Sequence, residues 1–140
     1  MNEIRSSRSS AREVVYKFLF ARLFNGDTDG KFLSALSLEY KLNDNDALFA
    51  KKLASTVIEN YEEFTNEIID LSKIYSFDRI YSTGKCALFI GMAELKFFDD
   101  VPTAVAIDQA VSLVKKYSTE SSLSFINGVL ASYAKKVKGE

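Results

Sequence analysis

The chain contains no histidine and one cysteine, Cys86. A single thiol cannot close an internal disulfide, and without imidazole the commonest zinc ligand and the commonest general base are both missing. A Cys/His zinc site and a Ser-His-Asp triad are therefore excluded. Proline occurs once and the six glycines are scattered, too few breakers for the many turns of an all-β fold. No run approaches the ~18 apolar residues of a membrane span. The polar stretch from Met1 to Ser10 lacks the apolar core that a signal peptide needs. Together these absences predict a helical protein of the reducing cytoplasm, with no membrane partner.

What is present is an ordinary globular balance. Of 140 residues, 47% are hydrophobic and 26% charged, with 18 basic side chains against 19 acidic ones. A disordered chain would be poorer in Leu, Ile, Val and Phe. A domain of about this size buries roughly two thirds of the surface its unfolded chain exposes, so a core can form without staples.

Apolar periodicity divides the chain into helices. Ser10-x-x-Glu13 has the form of a capping box, and after it Ala11, Val14, Val15, Phe18 and Leu19 share one stripe, which predicts a helix from about Ser10 to Phe24. A polar loop, Asp27-Thr28-Asp29-Gly30, leads to a short second helix with Phe32, Leu33 and Leu36. Asn43-Asp44 caps a third, whose stripe is Phe49, Leu53, Val57 and Tyr61, flanked by Ile58. Asn60 and Glu63 offer another capping box that restarts the helix in a new direction, continued by Phe64, Ile68, Ile69 and Leu71. From Ser82 to Phe98 the sequence is apolar on nearly all sides, the mark of a helix surrounded by others. Gly84 and Gly91, two turns apart, would admit a close neighbour there. Asp99 to Pro102 breaks this helix; Thr103 to Tyr117 forms the next, and Ser121 or Ser122 caps the last, with the stripe Phe125, Ile126, Val129, Leu130 and Tyr133. The expectation is one all-α bundle of about seven helices over residues 1–140, divisible into an N-terminal subdomain up to about residue 60 and a C-terminal one beyond it.

Catalysis finds no anchor. Ser82-Thr83-Gly84-Lys85 lacks the upstream glycine and preceding strand of a phosphate-binding loop. Acid pairs such as Asp99-Asp100 and Glu62-Glu63 read as solvated caps. No metal or cofactor is expected. Nucleic acid is better supported, because Arg5, Arg8, Arg12, Lys17 and Arg22 gather in the first two dozen residues against only Glu3 and Glu13. Such a segment binds phosphates through counterion release while the remaining surface stays neutral; a soluble basic tail is the alternative. Phe20, Phe24, Tyr117 and Phe125 are candidates for base stacking or for the core. Asn127-Gly128 interrupts the propensity of the last helix: Gly128 reads as a packing notch, with Asn127 either a polar contact at a helix crossing or part of that notch.

One block of residues is more specific. Val101-Pro102-Thr103-Ala104-Val105-Ala106-Ile107-Asp108-Gln109-Ala110-Val111, then Tyr117-Ser118-Thr119-Glu120-Ser121-Ser122, then Phe125-Ile126-Asn127-Gly128-Val129-Leu130, resembles the C-terminal signature of the NusB family at its spacings. Ala11-Arg12-Glu13 with Phe18-Leu19-Phe20 resembles the family's opening, Phe20 standing where tyrosine is usual. Asp78-Arg79-Ile80 and Ala93-Glu94-Leu95 resemble its middle. The chain departs from the pattern at Phe89, where arginine is usual, at Gln109 in place of glutamate, at Ser121 where an acid is frequent, and in the spreading of the N-terminal arginines among serines.

The resemblance implies an all-helical, non-catalytic transcription antitermination factor. Such a factor pairs with the small-subunit ribosomal protein NusE and binds the boxA element of nascent ribosomal RNA as a single strand, within an RNA polymerase antitermination complex. Carried over by position, Arg5, Arg8 and Arg12 would contact RNA phosphates, and Phe20, Glu120, Ser121 and Phe125 would complete the RNA surface. Asp78, Arg79, Ile80, Tyr81 and Lys85 would form part of the protein-partner surface. Self-association is left open; in a homodimer the interface would hide the RNA surface. Two other readings stand beside this one: a helical module associated with a ribosomal RNA methyltransferase, and an adaptor that binds protein alone.

Overall fold

The computed structural model describes residues 5–25, 29–74, 82–117 and 123–139. Among them every regular element is helical: α1 (Arg8–Asn25), α2 (Gly30–Glu39), α3 (Asp44–Glu59), α4 (Tyr61–Ile74), α5 (Ser82–Phe97), α6 (Thr103–Tyr117) and α7 (Leu123–Lys138). The seven-helix, all-α expectation holds because each long apolar stripe has the helical period and the breakers fall between stripes. No described helix is long and apolar enough to cross a membrane. The chain divides into two compact units, Met1–Ser55 and Thr56–Glu140.

In the first unit, the residue that caps α1 lies three positions before the expected Ser10. The Ser7 carbonyl accepts the Ala11 amide at 2.9 Å and Ser7 Oγ accepts the Ser10 amide at 3.0 Å, so Ser7 satisfies amides that the helix start would otherwise leave unpaired. The capping box at Ser10 and Glu13 therefore does not form. Ser10 Oγ donates instead to the Arg5 carbonyl at 2.7 Å, and Glu13 accepts the Tyr40 hydroxyl at 3.2 Å. Four serines among residues 6–10 offer several chemically equal caps, and tertiary contacts choose among them.

Ala11, Val14, Val15, Phe18 and Leu19 are all buried, and α1 packs on α2 with the Phe18 and Phe32 rings stacked at 6.3 Å. Asp29 caps α2, its Oδ1 accepting the amides of Lys31 at 3.1 Å and Phe32 at 3.3 Å. The turn to α3 closes through Lys41 N to Leu38 O and Leu42 N to Ser37 O, both 3.0 Å, with Lys41 at a φ of 54°. This is a helix-ending motif in which glycine is usual, built here on lysine. Asn43 Oδ1 then accepts the Asp46 amide at 2.8 Å and caps α3 as the sequence suggests.

The second unit is organised around α5, where Gly84 and every residue from Cys86 to Leu95 are buried. Helices α4, α6 and α7 pack on it, and α6 packs on α7. A Cβ built on Gly91 would sit 2.9 Å from both Cδ atoms of Leu130 and 3.3 Å from the Ala110 Cβ. Only a residue without a side chain allows α6 and α7 to come that close. Aromatic rings fill the space toward α4: Phe64 meets Tyr133 edge-on at 6.4 Å and Phe89 lies 5.2 Å from Tyr61.

The stripe expected to run from α3 to Tyr61 stops short, since α3 ends at Glu59 and Tyr61 opens α4 with 44% of its surface exposed. The expected box at Asn60 is also built differently. Asn60 Nδ2 donates back to the Thr56 carbonyl at 2.8 Å, while the Glu63 carboxylate pairs with Lys96. A long-range cation outcompetes a reach back to the Asn60 amide. Asn127 is exposed.

Candidate nucleic-acid interface

The described residues ahead of α1, Arg5–Ser7, are tied to α3. Ser6 Oγ accepts the Asn43 amide at 2.8 Å and donates to the Asp46 carboxylate, which fastens the segment Arg5–Ser7 to the first turn of α3. A serine is short enough to bring the two backbones together and carries both a donor and acceptors for this double role. Arg5 on this segment and Arg8 at the start of α1 are both exposed.

Arg8 and Arg12, one turn apart, lie on the same side of α1. Their guanidinium carbons are 4.5 Å and 5.3 Å from the centroid of one ring, Phe49 of α3. The two differ in access: Arg12 is buried, with 4% of its surface exposed, whereas Arg8 reaches water. Further along, the Lys17 ammonium lies 4.9 Å from the Tyr40 ring centroid. Hydrogen bonding to Tyr40 holds it above its ordinary pKa range, with Glu13 and Glu39 adding to the effect and partial burial opposing it. Lys17 therefore stays charged throughout the physiological range. Phe20 is half-buried, its ring 6.5 Å from that of Tyr16. Along α1, Arg8 and Arg12 thus meet one ring and Lys17 another, with a half-buried aromatic at Phe20.

In the second unit, Phe125 sits in the first turn of α7 with 6% of its surface exposed. Tyr117 ends α6 half-buried, with the Lys116 ammonium 5.6 Å from its ring centroid and Lys115 exposed beside it. This cationic last turn escapes a reading based on the N-terminal arginines, although the run Lys115-Lys116-Tyr117 was visible. Lys85 is half-buried in the first turn of α5. Glu120, Ser121, Asp78, Arg79, Ile80 and Tyr81, together with the Phe24 side chain, lie outside the described residues. The supports Ser6, Asp46 and Phe49 are the other residues missed, and no local pattern signals them, because their partners lie some forty positions away.

Among the described residues no three acidic, Cys or His side chains come together as metal ligands. Cys86 is buried in α5, where desolvation pushes its thiol up to about 12, with Lys85 opposing, so it is poorly suited to act as a nucleophile.

A sequence model of the NusB family matches residues 9–135. The transcription antitermination protein NusB of Finegoldia magna is 36% identical over 132 residues, which cover 94% of this chain and 93% of the relative. Among solved structures, NusB of T. maritima superposes with a TM-score of 0.81 at 28% identity, covering 94% of this chain and 93% of that one. The antitermination factors NusB and NusE in complex with double-stranded RNA give a TM-score of 0.81 at 30% identity, covering 92% and 96%. Both the extent of these matches and the helical order described above lead to one assignment: the chain belongs to the NusB family.

Proposed function

We propose that this protein is a cytoplasmic, non-catalytic transcription antitermination factor. It binds boxA-type single-stranded RNA of nascent ribosomal transcripts together with a NusE ribosomal protein, within the RNA polymerase antitermination complex. The observation that carries the reading is the exposed pair Arg5 and Arg8, the first on the segment fastened through Ser6 and the second over the Phe49 ring. Fixed cations bind a polyanion with less ordering cost than a floppy tail. The antitermination role of the Finegoldia magna relative and the NusB–NusE–RNA complex support the same reading.

Within it, Arg5 and Arg8 contact phosphates. Arg12, buried beside the same Phe49 ring, reaches RNA less directly. Phe20 offers an aromatic edge to a base, and Glu120 and Ser121 also contact RNA, whereas Phe125 is buried and acts from the core of its own unit. Asp78, Arg79, Ile80, Tyr81 and Lys85 belong to the NusE-facing surface.

The test is a fluorescence titration of a boxA-type RNA, a scrambled strand and a duplex, with and without NusE, at several salt concentrations. Sequence-selective binding strengthened by NusE is expected. Arg8→Ala should weaken binding to every RNA and flatten the salt slope by about one unit, as loss of one phosphate contact requires. Equal, weak, salt-sensitive binding to all three RNAs would leave only a basic surface on a helical adaptor.

A further inference from the structure

Helix α3 does more for the cationic edge of α1 than close a core beneath it. Phe49 stands in its second turn, 7% exposed, and is within cation–π range of both Arg8 and Arg12. One turn earlier, Asp46 and the Asn43 amide hold Ser6. The backbone that carries Arg8 is thus anchored on one side by Ser6, and its side chain by the Phe49 ring. A guanidinium over a ring presents its π-face to the ring, while its N–H donors lie in its own plane, where a phosphate meets them.

Resting on the RNA-binding reading above, we propose that Phe49 is a positioning residue that presets the Arg8 guanidinium for an RNA phosphate. Without the ring, Arg8 keeps its charge but loses one of the contacts that order its side chain, and that ordering must be supplied on binding. The cost of ordering one such side chain corresponds to about a two- to tenfold loss of affinity. Lys17 over Tyr40 is the same device further along α1, where an aromatic from the polypeptide around the α2–α3 turn carries a cation of the first helix.

The test is a double-mutant cycle on RNA affinity with NusE present, using a labelled boxA-type RNA. Phe49→Leu should weaken binding about two- to tenfold in the wild-type background and leave affinity unchanged in Arg8→Ala. Phe49→Tyr, which keeps the ring, should retain wild-type affinity. A role confined to packing predicts instead the same loss with or without Arg8. Should Phe49→Leu fail to fold, the wild-type protein answers by NMR. The Arg8 δ-proton resonances should carry a ring-current shift that persists when RNA binds.

Loss of that shift on binding, or tighter binding by Phe49→Leu, would mean that Arg8 must leave the ring to reach RNA, and would overturn the proposal. If Arg8→Ala binds RNA like wild type, the arginine assignment itself fails. If Arg8→Ala weakens binding while Phe49→Leu does not, only the positioning role fails.

Discussion

Gly91→Ala sets local propensity against tertiary packing at one atom. In an isolated helix the change stabilises by about 1 kcal/mol, since alanine is the best helix former and glycine among the worst. In α5 the new methyl would lie 2.9 Å from both Leu130 Cδ atoms and 3.3 Å from the Ala110 Cβ, where carbon contacts are comfortable at about 3.5–4.0 Å. Leu130 is fully buried and Ala110 has no torsion to turn, so relief requires α6 and α7 to shift or Leu130 to leave its rotamer. Such overpacking costs about 1–3 kcal/mol. Subtracting the propensity gain leaves a net destabilisation of about 1 kcal/mol, with an upper value near 2 kcal/mol.

Thermal and urea unfolding of the two proteins measure this directly. A lowering of Tm by about 4 °C is expected. In a Leu130→Ala background the obstruction is gone, and Gly91→Ala should change sign and stabilise by up to about 1 kcal/mol. A single Gly91→Ala variant more stable than wild type would refute the argument that close helix approach selects this glycine.

Two further predictions concern buried polar groups. Tyr133 is 1% exposed and its hydroxyl has no hydrogen-bond partner among the described residues, so Tyr133→Phe should raise stability by about 1 kcal/mol in chemical denaturation, because the desolvation penalty disappears while the ring contact with Phe64 remains; a loss of stability would reveal a partner for that hydroxyl. Cys86 has its thiol raised from the ordinary 9.0 to about 12 by burial. In the unfolded chain the thiol ionises first, so the native state holds the proton more tightly between pH 9 and about 12 and its contribution to stability, fully present below pH 9, is lost as pH rises through that window. Cys86→Ala should flatten the decline of stability between pH 9 and 11, and alkylation of native protein at pH 8 should proceed no faster than global unfolding exposes the thiol; an equal alkaline slope in the variant, or rapid modification, would contradict the burial of this group.

Much of the molecule was legible in the chain itself. The stripes of α1, α5 and α7 placed Val14, Phe18, Leu88, Ile90, Ile126 and Leu130 inside, where they are found, because a helical period leaves one side of each segment little choice. Helix ends were less legible. Ser7 caps α1 instead of Ser10, and Asn60 turns back to Thr56, since several short polar residues compete for the same amides and distant partners decide. Lys41 stands in a left-handed position that a local reading would have assigned to glycine.

The all-α class, the scarcity of reactive side chains and the cationic character of the first helix were determined by the sequence alone, through composition and periodicity. Tertiary structure decided what each arginine can do. Arg8 and Arg12 are indistinguishable as letters, yet one is exposed and the other buried against the same phenylalanine. That difference comes from where α3 lies, and α3 is brought to α1 by Ser6, Asn43 and Asp46 across a separation of about forty positions. Periodicity reports the side of a helix on which a residue lies; the access of a long side chain at the edge of that side depends on the neighbouring helix, which no local pattern encodes.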